Sequence, residues 1–143
     1  MKAEKALGKL HLIDSSTISM CLSGYEWADF RETKSEIKIH TSIQLCYGNV
    51  SLNKVISTPA RPADGTQLDA LIVHDKDVLH VFDRGYFNFK TYDAYCETGI
   101  KFATRITANT IVHVMEELPV DASSPFTRHA IVIIGIMKNK HSW

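Results

Sequence analysis

Two short apolar runs, Leu10-His11-Leu12-Ile13-Asp14 and Val78-Leu79-His80-Val81-Phe82-Asp83, decide the reading of this chain, because each closes on an aspartate. Runs of four to eight apolar residues have the length of a buried strand. A carboxylate at the end of such a strand is held rigidly at the edge of a sheet. Two of them on neighbouring strands can clamp one or two Mg²⁺ ions, because hard cations take oxygen ligands. The competing reading is a turn. Asp14 is followed by Ser15-Ser16-Thr17 and Asp83 by Arg84-Gly85, and both sequences favour turns.

Working outward from the first run, residues 10–18 read as a strand and Ser19 to Asp29 as a turn or short helical segment. Glu36 to Tyr47 alternates, with Ile37, Ile39, Thr41, Ile43 and Leu45 on one face and Lys38, His40, Ser42 and Gln44 on the other. That pattern predicts a half-buried strand. Gly48-Asn49 reads as a turn into a second such strand, Val50 to Thr58, and the pair forms a hairpin. After Pro59 and Pro62, Asp64 is placed to cap a short helix through Leu68, Leu71 and Ile72.

Around the second run, Val78 to Phe82 is a continuous apolar strand. Asn88 to Thr98 reads as a helix with Phe89, Tyr92, Tyr95 and Cys96 on its apolar stripe and Gly99 closing it. Ile100 to Arg105 is a further strand. Thr110 to Glu117 and His129 to Met137 are two more, around Asp121 to Pro125. Strands alternating with helices after an antiparallel start predict an α/β fold with a mixed sheet.

Composition sets bounds on function. The 143 residues suffice for one domain with a real core, and 45% hydrophobic and 22% charged residues are ordinary for a globular protein. The net charge of +0 removes any global basic field, so nucleic acid would have to be held by a local patch. Cys21, Cys46 and Cys96 are odd in number and widely spaced, with no zinc pattern, and read as reduced thiols of a cytosolic protein. The longest apolar stretch, Ala130 to Met137, is of strand length rather than membrane-spanning length.

At this point several blocks together resemble a known family. Ile13-Asp14-Ser15-Ser16-Thr17-Ile18-Ser19, then Trp27-Ala28-Asp29-Phe30-Arg31-Glu32-Thr33-Lys34 running into Ile37-Lys38-Ile39-His40, is similar to the first catalytic block of bacterial insertion-sequence transposases of the DDE type, the IS-four group. Val81-Phe82-Asp83-Arg84-Gly85-Tyr86 resembles the second block. It is followed, as in the family, by an aromatic-rich helix and Gly99-Ile100-Lys101-Phe102-Ala103-Thr104-Arg105. The resemblance runs from about Leu10 to Gly135.

The resemblance implies a ribonuclease-H-like mixed sheet, with Asp14 and Asp83 as the first two acids of a D-D-E triad holding Mg²⁺ or Mn²⁺. It implies cleavage of a DNA strand by water and attack of a 3′-hydroxyl on target DNA. It also implies a bacterial, cytoplasmic, nucleoid-associated protein, with transposon ends and target DNA as partners and a homo-oligomer as one possible assembly. The family's third acid is a Glu on a later helix within a Tyr/Arg/Glu/Lys signature, usually after a β-rich insertion. Glu116 and Glu117 lie in a strand-like run soon after the second block and do not match it. Residues 1–143 are therefore expected to be one partial catalytic domain, ending where the insertion starts and inactive alone. The alternative is a non-catalytic remnant that binds DNA or a transposase partner weakly. A stand-alone two-aspartate nuclease would need a further carboxylate, for which Asp29 and Asp64 are the donors to consider.

Other residues carry two readings each. Arg84 can hold a DNA phosphate or close a surface turn. Lys38 and His40 sit near the active face by resemblance, or are solvated strand residues. Arg31, Lys34 and Lys38 form a mild basic cluster diluted by Glu32 and Glu36. Tyr86, Phe87, Phe89, Tyr92 and Tyr95 can stack on bases, but helical spacing favours the core for all except Tyr86. Arg84, Lys38 and Tyr86 are thus the expected DNA contacts.

Overall fold

The computed structural model describes residues 8–20, 29–31, 34–60 and 64–136. The side chains of Asp29, Arg31 and Lys34, and most of the Trp27–Lys34 block, lie outside the described residues, as do Pro62 and Met137. The chain divides into two compact units, residues 1–105 and 106–143.

The first unit is built on a six-stranded mixed sheet. Its strands are β1 (Lys9–Met20), β2 (Asp29–Arg31), β3 (Lys34–Cys46), β4 (Asn49–Pro59), β5 (Val78–Phe82) and β6 (Lys101–Thr104). β3 pairs antiparallel with β1, β2 and β4, whereas β1, β5 and β6 run parallel in that order. The antiparallel start followed by parallel strands is the arrangement expected from the sequence. β1 is longer than its apolar run, because Ser15 to Met20 continue to pair with His40 to Ser35. Ser19 and Met20 are therefore strand, and Asp14 lies inside β1, opposite Thr41 of β3. Only on its β5 side does it stand just past the last paired residues, Ile13 and Phe82.

The β3–β4 turn is Tyr47-Gly48, one residue earlier than expected. Both residues are left-handed (φ 49° and 79°), as a tight hairpin between right-twisted strands requires. β4 makes its only strand pairing with β3 among the described residues.

One face of the sheet carries α1 (Leu68–Leu71), α2 (Phe89–Thr98) and two 3-10 turns, Asp64–Thr66 and Arg84–Tyr86. Ile13 and Phe82 point into this layer and pack with Leu68, Leu71, Ile72, Tyr86, Tyr92, Tyr95 and Ile100. Helix α2 follows its sequence signals. Asn88 accepts from the Thr91 amide at 3.3 Å, and Gly99 closes the helix in the left-handed region. Tyr92 and Tyr95 are buried, but Cys96, expected on the same stripe, is exposed. Asp64 does not cap α1. Gln67 holds the cap position, and the Asp64 carboxylate is engaged elsewhere.

The face of β3 that meets the covered layer is the polar one. His40 and Ser42 are fully buried, whereas Ile37, Ile39, Ile43 and Leu45 on the other face are only half-buried. Periodicity separates two faces without saying which one is covered. Here the polar face is satisfied from within. His40 meets Tyr86 and Thr58 at 3.1 Å each, and Lys38 donates to Asp64 at 2.8 Å. A buried polar group with its bonds made costs little, which makes this inversion stable.

The second unit contains a hairpin of β7 (Thr110–Leu118) and β8 (His129–Ile136), paired antiparallel. An ion pair from Arg128 to Glu117 ties its strands near the connecting loop. Val112, Val114, Met115, Ile131, Val132 and Ile133 are all exposed.

Candidate active site

The two aspartates are brought to one end of the parallel strands by register. Ile13 of β1 faces Phe82 of β5, which faces Thr104 of β6. One step further along each strand come Asp14, Asp83 and Arg105. All three, with Leu12, Val81 and Ala103, line an open cleft of about 600 Å³. Because side chains alternate along a strand, Leu12 and Asp14 point away from the layer that buries His11 and Ile13.

Asp14 is exposed, and its Oδ1 accepts from the Ser15 amide at 2.8 Å. Asp83 opens the Arg84–Tyr86 turn, where its main-chain oxygen accepts from the Tyr86 amide at 3.1 Å. Its side chain makes no capping bond. The turn reading therefore accounts for the Asp83 backbone but leaves the carboxylate free for the cleft. There it meets Arg105, whose Nε and Nη2 both donate to Oδ1, at 3.0 and 2.7 Å.

This pairing sets the electrostatics of Asp83. Two bare carboxylates held close repel each other, so one of them should titrate high. Instead the Arg105 guanidinium, helped by the Arg84 amide, holds Asp83 below the usual carboxylate range. Arg105 was missed as a functional residue at the sequence level. The available signal was its position, a basic residue one step past a third strand, as the two acids stand past theirs.

The other expected residues separate clearly. Arg84 is exposed beside Asp83. Tyr86 is only 1% exposed and bonded to His40, so its ring offers no surface for a base. Burial pushes its phenol up to about 12. Lys38 is half-buried and ion-paired to Asp64 at 2.8 Å, on the face of β3 that carries His40. Tyr86 is drawn off the expected DNA surface because the face of β3 that carries its partner His40 is covered. His40 is likewise a core residue, and burial lowers its pKa.

Asp64, considered as a third carboxylate, is occupied. Oδ1 takes Lys38 and Oδ2 accepts from the Ser15 hydroxyl at 3.3 Å. Among the described residues, no three His, Cys, Asp or Glu side chains converge as a metal-binding group would. Asp14 and Asp83 supply carboxylate oxygens of the type a hard cation takes, but as part of a donor set only.

Among the described residues no helix is long and apolar enough to cross a membrane. Cys46 and Cys96 are free thiols. No curated protein and no solved structure matches the chain. A family model, the transposase DDE domain, matches residues 7–139 and so takes in the whole sheet, both aspartates and the hairpin. The chain therefore belongs to the DDE transposase family.

Proposed function

We propose that residues 1–143 are part of the catalytic region of a bacterial DNA transposase of the IS-four group, with a ribonuclease-H-like sheet and the β7–β8 hairpin as the start of its β-rich insertion. Asp14 and Asp83 are the first two acids. The observation that carries this reading is that both aspartates line one cleft, each one residue past the last pairing of adjacent parallel strands. The strand order, with β1 between an antiparallel and a parallel partner, supports it as well.

In this reading Asp14 and Asp83 hold a divalent cation, Mg²⁺ or Mn²⁺, which supplies charge stabilisation to phosphoryl transfer when bound. The chain's own work is positioning. β1 and β5 set the backbone positions of the two aspartates through their parallel register. Arg84, exposed next to Asp83, is placed to hold a DNA phosphate through its planar fork. Transposon ends and target DNA are the partners, and the protein works in the bacterial cytoplasm. Because Asp64 is tied to Lys38 and Ser15, the isolated chain binds the metal weakly and does not cut.

A thermal melt with and without excess Mn²⁺ tests the site. A ligand that binds only the folded state stabilises it by mass action, and a weak site should add on the order of 1 kcal/mol. Stabilisation is expected in the wild type and not in Asp14→Asn/Asp83→Asn. An equal shift in both proteins, or none in either, would overturn the assignment.

A further inference from the structure

With Asp83 as a metal ligand, Arg105 becomes a competitor for one of its oxygens, Oδ1. Its guanidinium carries a permanent charge, since it cannot lose its proton in a protein. Both of its bonds go to a carboxylate that the proposed metal also needs. A divalent cation and a guanidinium cannot share Asp83 Oδ1 without repulsion. The pair is built to come apart: the Arg105 side chain is 72% exposed and that of Asp83 49%. Ion pairs this open are weak, because water and salt screen them.

Register fixes where the displaced group remains. Arg105 follows β6 and lines the same cleft as Asp14 and Asp83, so a guanidinium leaving Oδ1 stays at the site. The anion that would meet it there is the phosphodiester brought by DNA. A phosphate matches the guanidinium fork as well as a carboxylate does. Arg84 is exposed beside Asp83, but only Arg105 donates to it through its side chain.

We propose that Arg105 exchanges partners as the site loads: it is the counter-ion of Asp83 in the metal-free protein, and once a divalent cation takes Asp83 it becomes a ligand for a DNA phosphate. This inference rests on Asp83 being a metal ligand. It follows that metal and DNA binding are linked through one side chain. Metal releases the guanidinium for DNA, and DNA in turn favours metal by holding it away.

The test uses Arg105→Gln, Arg105→Lys and Asp83→Asn in the full chain. Mn²⁺ affinity is read by titration calorimetry. Affinity for a labelled DNA duplex is read by anisotropy in Ca²⁺ and in chelator. Arg105→Gln is expected to bind Mn²⁺ about two- to fivefold more tightly, the range an exposed ion pair allows. It should bind the duplex more weakly in Ca²⁺, with a salt slope smaller by about one, and show little change in chelator. Arg105→Lys should fall between it and the wild type in both assays. A poorly folded variant cannot mimic a gain in metal affinity. If wild type binds Mn²⁺ and Asp83→Asn does not, but Arg105→Gln binds equally or less tightly, the exchange is wrong while the metal site stands. Equal loss of duplex affinity with and without metal also overturns it. If Asp83→Asn does not weaken Mn²⁺ binding, the site assignment itself fails.

Discussion

His40 Nδ1 and the Tyr86 hydroxyl lie 3.1 Å apart, joining the middle of β3 to the turn that follows the second aspartate. The other ring nitrogen of His40 meets Thr58 Oγ1 at 3.1 Å, so the imidazole spends both of its bonding positions inside the protein. Tyr86→Phe keeps the ring and removes one partner. A buried ring nitrogen is then left unsatisfied, and the expected cost is about 1–3 kcal/mol. Urea unfolding measures it. A loss below about 0.5 kcal/mol would show that water replaces the hydroxyl and that the pair does not anchor the turn.

Acid should unfold the protein through the same layer. Burial lowers the pKa of both His40 and His80 from the ordinary 6.5. His80 shows why. Its Nδ1 faces the Lys101 carbonyl at 3.1 Å and must carry the proton, while Nε2 accepts from the Val73 amide at 3.1 Å. Adding a second proton destroys the latter bond. The folded state therefore binds fewer protons than the unfolded one. Stability should be complete above about 6.5 and fall as pH drops below it. Melting temperature followed from pH 8 to pH 5 tests this, and a flat profile would contradict it.

Gly85 is required by a neighbour. A Cβ there would lie 3.2 Å from Asp64 Oδ2. That carboxylate has little room to retreat, being held by Lys38 at 2.8 Å and Ser15 at 3.3 Å. Asp64 thus fills the gap between the residue after Asp14 and the second residue after Asp83. Gly85→Ala should cost about 1 kcal/mol. In an Asp64→Ala background the cost should shrink, because the atom it collides with is gone. Additive losses in that double-mutant cycle would show the contact to be slack.

How much of this was legible from sequence depends on the residue. β5 and α2 were read almost to their ends, because a continuous apolar run, an Asn cap and a closing Gly are local signals. The alternation of β3 was also local and correct in period. Its burial was not legible, since the groups that satisfy Lys38 and His40 lie 26 and 46 positions away in Asp64 and Tyr86. Tyr86 left the expected DNA surface for the same reason. Asp64 was read as a cap because Asp at that position usually is one, and its actual partners are both non-local. Both aspartates that line the cleft were singled out from the sequence, but the guanidinium on Asp83 was not, because only the parallel register of β5 and β6 brings it there.

The other sheet face carries a different liability. β4 is an edge among the described residues, and its open face holds Val50, Leu52 and Val55 at 70%, 64% and 49% exposure. A long apolar edge strand invites pairing between chains. The isolated chain should therefore self-associate at rising concentration in light scattering. Val50→Lys/Leu52→Lys should reduce that association with little change in melting temperature, since neither side chain is buried. Association unchanged by the two lysines would place the contact elsewhere.

The number of oxygen donors at the site decides whether the isolated chain cuts DNA. Affinity for a hard cation rises with the number and rigidity of its oxygen ligands. Asp14 and Asp83 line the cleft, Asp64 is held by Lys38 and Ser15, and no third acidic side chain joins the pair among the described residues. One of the two carboxylates already has an oxygen, Asp83 Oδ1, held by an arginine. Positioning and charge stabilisation are most of what phosphoryl transfer needs from a protein, and here both are incomplete. A supercoiled plasmid incubated with the chain and Mg²⁺ or Mn²⁺ should stay unnicked, at the level of Asp83→Ala. Efficient nicking by monodisperse wild type, abolished in Asp83→Ala, would mean that two aspartates and their surroundings already make a complete site.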